Sequence, residues 1–128
     1  MAENQYGRLQ SPSQELVKIP LAFAPAGTDP PTAVVGKGFS IARTDVGKYR
    51  ITFTERYPAL LGFSWSLALQ TLAVRTVVLK AITIGMAATN TIDIQILDAS
   101  AAAVEIAAHA NNLVLCEFTF SNTSSPSA

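Results

Sequence analysis

Residues 36–61, GKGFSIARTDVGKYRITFTERYPALL, alternate apolar with polar side chains on either side of a short polar turn. Tyr49, Ile51 and Phe53 fall on one face of an extended chain, and Lys48, Arg50 and Thr52 fall on the other. That two-residue period belongs to a β-strand with one buried side. Thr44-Asp45-Val46-Gly47 has the chemistry of a hairpin turn, with Asp45 bonding local backbone and Gly47 accepting a positive φ. The stretch therefore predicts two strands, over about 34–43 and 48–54, with Pro58 as the stop that follows. Gly36-Lys37-Gly38 lacks the further glycine and the following helix of a phosphate loop, so its glycines read as a bulge or a close backbone approach.

Outward from this hairpin the same period recurs. Residues 16–23 open the series, and APAGTDPPTA (24–33) reads as a Pro/Gly loop because successive prolines lack backbone donors. In LLGFSWSLALQ (60–70), Leu61, Phe63, Trp65, Leu67 and Leu69 share one face, while Gly62, Ser64, Ser66 and Ala68 share the other. A strand with one face of small residues packs closely against another layer or chain, or else turns that face to solvent. Residues 74–84 form a strand whose near-continuous hydrophobicity implies cover on both faces. Over 91–98, Ile92, Ile94 and Ile96 point inward and Asp93 and Gln95 outward, and over 113–121 Val114, Cys116, Phe118 and Phe120 point together. ASAAAVEIAAHANN (99–112) breaks the period. Its alanines favour a short helix with Ser100 as N-cap, the alternative being a long ordered loop. Residues 1–15 and 122–128 are polar and read as arms. The expected architecture is one all-β domain over 16–121, an antiparallel β-sandwich, jelly-roll-like, of about seven or eight strands with extended terminal arms.

Composition narrows function by exclusion. The 128 residues are 49% hydrophobic but only 14% charged, and nine basic residues cancel nine acidic ones. A neutral chain exerts no long-range pull on nucleic acid or an anionic membrane, and copies of it repel one another little. No apolar run approaches the ~20 residues of a membrane span, and residues 1–15 lack the apolar core of a signal peptide. The single Cys116 rules out an internal disulfide and fits synthesis in a reducing cytoplasm.

Titratable groups are too sparse for a recognisable catalytic constellation. One histidine, His109, and one cysteine, Cys116, cannot supply the N/S ligands of a zinc site. Cys116 lies among Val114, Phe118 and Phe120, where a thiol acts as a small hydrophobe. Asp93 and Asp98 lie an odd number of residues apart on one strand and so face opposite sides, which removes the obvious carboxylate pair. The chain is thus expected to be no enzyme and to need neither cofactor nor metal. Arg43, Lys48, Arg50 and Arg56 cluster around the hairpin. Lys48 and Arg50 either meet acidic groups of another protein or form a solvated strand face that discourages edge-to-edge aggregation. Together with Tyr6, Arg8 and Leu9 of the N-terminal arm, they are the candidate protein-contact residues.

The order LAFAPAGTDPPTAVVGKGFSIART, VGKYRITFTERYPALL, IDIQILDASAAA and NNLVLCEFTFSNTSS resembles small virion structural proteins of tailed bacteriophages, in particular capsid decoration (cement) proteins. The resemblance spans about residues 17–123 and rests on strand and turn signatures. It implies a non-enzymatic domain that binds the outer capsid shell in many copies and stabilises it. Its expected partners are the major capsid protein and copies of itself as a trimer, with neither nucleic acid nor membrane. The expected location is the virion surface, after synthesis in the host cytoplasm. The alternative is a tail, baseplate or fibre-associated β-domain that binds a receptor or glycan through Trp65 or Tyr57. Trp65, however, shares its face with Leu61, Phe63 and Leu67, which reads as core.

Overall fold

A computed structural model describes residues 16–86 and 89–121. The chain forms eight strands: β1 (Leu16–Ala26), β2 (Asp29–Val35), β3 (Phe39–Asp45), β4 (Lys48–Phe53), β5 (Ala59–Ala68), β6 (Thr76–Thr83), β7 (Thr91–Leu97) and β8 (Leu113–Ser121). They make two four-stranded antiparallel sheets, ordered β2-β1-β8-β5 and β3-β4-β7-β6, packed as the expected β-sandwich. β1–β2, β3–β4 and β6–β7 are hairpins within one sheet, and the other connections cross between sheets. The arms at 1–15 and 122–128 lie outside the described residues.

The core forms where the alternating apolar faces meet. Tyr49, Ile51 and Phe53 of β4 oppose Phe23 of β1 and Phe118 and Phe120 of β8, all fully or almost fully buried. Phe23 and Tyr49 bridge the sheets at 4.9 Å between ring centroids, and Phe53 meets Phe118 and Phe120 edge-on at 5.4 and 4.9 Å. Ile92, Ile94 and Ile96 of β7 complete the layer. Each such side chain contributes about 1.5–3 kcal/mol of hydrophobic stabilisation. Beyond the β4 terminus Tyr57 stacks on Phe120 at 4.5 Å, and its backbone N–H donates to Asn90 Oδ1 at 2.6 Å.

Several local expectations are corrected. APAGTDPPTA is a loop only at Gly27-Thr28, because β2 begins at Asp29 and carries Pro30 and Pro31 on the sheet edge. An edge strand pairs on one side only, so prolines are tolerated there. The strand expected over 34–43 is two strands in different sheets, broken at Gly36–Gly38 where the chain crosses between them. Gly36 has φ 132°, and a Cβ there would stand 2.6 Å from Phe39 and 2.9 Å from the Pro20 carbonyl, which is the close approach its glycine was expected to serve. On β5 a register shift between Leu60 and Gly62 turns Leu61 outward, 57% exposed, and leaves Leu60 to pack on the core. β6 is an edge strand with Ile82 50% exposed, so it is not covered on both faces.

Residues 99–112 form no helix. They make an ordered strap from β7 back to β8, held by tertiary hydrogen bonds that override alanine's helix propensity. Ser100 does not cap: its N–H, with that of Ala102, donates to Asp98 Oδ1 at 2.8 and 3.1 Å, closing a turn at Asp98.

Candidate functional site

Among the described residues, ion pairs form in two places. On the outer face of the second sheet, β4 and β7 pair so that Arg50 lies opposite Asp93. Arg50 Nε and Nη2 donate to the two Asp93 carboxylate oxygens at 2.8 and 3.0 Å, and Lys48 Nζ lies 3.7 Å from Oδ2. Asp93 is buried although it sits on the outward face, because these side chains cover it. The Arg50 hydrogen bond holds the Asp93 carboxyl below the usual carboxylate range, against the opposing effect of burial. Lys48 and Arg50 therefore share a face, as expected, and their nearest acidic group belongs to this chain.

The second place is the β3–β4 turn. Arg43 lies opposite the buried Tyr49 and so belongs to the inner face, apart from Lys48 and Arg50. Its guanidinium pairs with Glu105 of the strap, and Glu105 Oε1 accepts the Gly47 N–H at 2.9 Å. Burial raises the Glu105 carboxyl, yet the Arg43 and Gly47 hydrogen bonds outweigh it and leave a net lowering. Glu105 joins Gln70, Thr71, Arg75 and Asn112 around an end cleft of about 270 Å³. Asn112 Oδ1 accepts the Gln70 N–H at 2.7 Å, and Ile106 closes the floor of the cleft as a buried apolar residue. Strap and turn are further joined by hydrogen bonds from Val104 N–H to Ile96 O and from Ile96 N–H to Gly47 O.

The outer face of the first sheet is different. Residues that stand opposite one another across strands share a face. The β1–β8 and β5–β8 registers therefore bring Lys18, Pro20, Ala22 and Ala24 together with Leu113, Leu115, Glu117 and Thr119, and with Gly62, Ser64, Ser66 and Ala68. Val35 of β2 joins them opposite Ala22. Lys18, Glu117 and, at the hairpin end, Asp29 are the charges of this face. Val35 is 64% exposed and Leu115 is half-exposed. Two open grooves flank Leu115 beside Pro20: one of about 240 Å³ is mixed, lined by Ser64, Ser66 and Glu117, and one of about 250 Å³ beside Val35 is apolar. That Gly62, Ser64, Ser66 and Ala68 share a face follows from their spacing, and in the single chain that face is open to solvent. The contribution of Pro20, Val35 and Leu115 does not, because it depends on non-local strand pairing.

Among the other expected positions, Tyr6, Arg8 and Leu9 lie outside the described residues. Tyr57 is buried and stacked on Phe120. Trp65 faces inward beside Cys116 but reaches the open margin of the sheet, 37% exposed. Arg56 stands apart, its Nη1 directed at the Met86 carbonyl. Cys116 lies in the core as expected, and burial pushes its thiol up to about 12, so it carries no thiolate at neutral pH. His109 is exposed on the strap, its Nδ1 accepting the Asn111 N–H at 3.0 Å. Among the described residues no three His, Cys, Asp or Glu side chains converge as a metal site. No protein-family model, curated protein or solved structure matches the chain.

Proposed function

We propose that the chain is a non-enzymatic virion structural protein of a tailed bacteriophage, a capsid decoration protein that binds the outer shell in many copies and stabilises it. The observation that carries this reading is the outer face of the first sheet. That face is built largely from Ala, Ser, Gly and Pro, with Val35 and Leu115 exposed, and its charges, Lys18, Glu117 and Asp29, include both signs. Small side chains let a second backbone layer approach closely, and the exposed Val35 and Leu115 supply apolar area to bury. On the opposite sheet the buried carboxylate, Asp93, is held by Arg50 and Lys48 of the same chain, which suits a structural role better than a reaction site. Individually weak contacts repeated over a closed shell add up to a large avidity. The partner is then the major capsid protein, and the protein resides on the capsid surface.

The test is direct. The purified protein is titrated onto undecorated capsids, and bound copies and the capsid disruption temperature are measured. Binding that saturates at a lattice-defined stoichiometry and raises the disruption temperature is expected. A Leu115→Lys variant, altered at an exposed position of the same face, is expected to fold and to bind far less. Capsids that take up no protein, or that bind the variant equally well, refute the reading.

A further inference from the structure

We infer that β5 is a self-association edge, through which two copies pair antiparallel about a two-fold axis at Trp65 to join their first sheets into one continuous eight-stranded sheet. The inference does not depend on the virion reading.

Four strands end the two sheets, and three of them are guarded against pairing. β2 carries Pro30 and Pro31 and two register shifts. β3 is short, ends on Arg43 and Asp45, and is irregular between them. β6 has a register shift around Lys80. Prolines, charges and bulges are the devices that keep an edge from recruiting another chain. β5 is ten residues long with no charge and no proline, and its one register shift precedes Gly62. From Gly62 to Ala68 it pairs regularly with β8, and its other edge meets no strand among the described residues.

What this edge should meet is written in its order. Residues 62–68, Gly-Phe-Ser-Trp-Ser-Leu-Ala, form a palindrome of size: small, large, small, Trp, small, large, small. A two-fold axis at Trp65 sets Ser64 against Ser66, Phe63 against Leu67 and Gly62 against Ala68 of the second copy. Directly opposed residues share a face. Phe63, Trp65 and Leu67 lie on the face of Phe118, Cys116 and Val114, so the large pairs extend the core, whereas Ser64 and Ser66 lie outside, opposite Glu117 and Leu115. An isologous contact requires a surface to be complementary to itself, and a strand without charge sets no like charges against each other.

Exposed apolar residues also gather here. Leu61 and Trp65 are on β5, and Leu72 and Val74, 94% and 66% exposed, lie in the segment that leaves it. Pairing covers the open flank of Trp65 with its own symmetry mate, an aromatic contact added to a ladder of main-chain hydrogen bonds.

Sedimentation equilibrium of the full chain tests the inference, with Trp65 emission as a second readout. The natural chain is expected to sediment as a dimer of the 13.5 kDa protomer and to shift Trp65 emission to the blue as dimer forms. The double variant Ser64→Lys/Ser66→Lys changes only exposed outer-face positions. It opposes like charges across the axis and is expected to raise the dimer Kd by at least about a hundredfold, with cooperative unfolding retained. The double variant Ser64→Cys/Ser66→Cys should oxidise to a reducible covalent dimer, Cys116 being buried. A chain that stays monomeric into the millimolar range overturns the inference. So does an odd-numbered assembly such as a trimer, a dimer indifferent to the lysines, or a dimer that fails to cross-link. Capsid binding is read in a separate assay, so failure here leaves the decoration reading standing.

Discussion

Gly47 and Gly27 offer a paired test of how the strap is seated. Both have left-handed backbone, φ 60° and 62°, but their surroundings differ. A Cβ at Gly27 meets nothing within 4 Å, whereas one at Gly47 overlaps the Val104 carbonyl and stands 3.1 Å from the Ile96 carbonyl oxygen. Alanine in the left-handed region costs roughly 1–2 kcal/mol, and the stiffer unfolded chain returns about 0.4–1 kcal/mol of that. Gly27→Ala should therefore lose roughly 1 kcal/mol. Gly47→Ala carries the same strain and must also displace Val104. That movement loosens the bonds from Val104 N–H to Ile96 O at 3.0 Å and from Ile96 N–H to Gly47 O at 2.9 Å. At a net contribution of about 1 kcal/mol each, the total is roughly 3 kcal/mol. For a chain of this length, 1 kcal/mol shifts Tm by roughly 4 °C. Thermal unfolding followed by circular dichroism should thus place Gly27→Ala roughly 4 °C and Gly47→Ala roughly 12 °C below the natural chain. Equal losses in the two variants would refute the argument that the strap presses on Gly47.

Two further outcomes are expected. The Tyr49 hydroxyl is buried without a hydrogen-bond partner among the described residues, and burial pushes it up to about 12. Tyr49→Phe keeps the ring contact with Phe23 and should stabilise the fold by about 1 kcal/mol in urea unfolding; a loss would mean that the hydroxyl is satisfied. The carboxyls of Asp93 and Glu105 are held below their ordinary values. Their contribution is complete above the unfolded value near about 4 and is lost as pH falls through the lower folded value. Asp93→Asn and Glu105→Gln should therefore be less stable than the natural chain at neutral pH and lose less on acidification. Urea midpoints that fall equally steeply in all three proteins would sink this account.

The elements legible in the sequence are those whose two faces differ. β4, β7 and β8 alternate cleanly because one side packs on the core and the other does not, and their expected limits fall within a residue of those observed. β2 escaped because a proline pair looks like a loop until the strand is known to lie at an edge, and edge position is a property of the whole sheet. The strap escaped for a related reason. Alanine's preference for helix is local and weak, while the bonds from Gly27 N–H to Ile106 O and from Val104 N–H to Ile96 O join residues far apart in sequence. Contact residues follow the same division. That Lys48 and Arg50 share a face follows from their spacing. That Asp93 lies between them, and that Arg43 turns instead to Glu105, depends on strand register and on the path of the strap.

The two proposals bear on one sheet, and that shared location has a mechanical consequence. The second sheet carries the Asp93 cluster with Arg50 and Lys48 on its outer face, and its edges are irregular or charged. The first sheet has an outer face of mostly small side chains and one unguarded edge. Pairing through β5 sets the outer faces of two copies side by side in one eight-stranded sheet, with Ser64 and Ser66 at the seam. A dimer so formed offers a shell twice the contact surface of a monomer without ordering any further segment. Two linked contacts bind with an avidity that neither reaches alone. Ser64→Lys/Ser66→Lys, which alters both the seam and the capsid-facing surface, should then weaken dimerisation and capsid binding together, whereas Leu115→Lys should weaken capsid binding with the dimer intact.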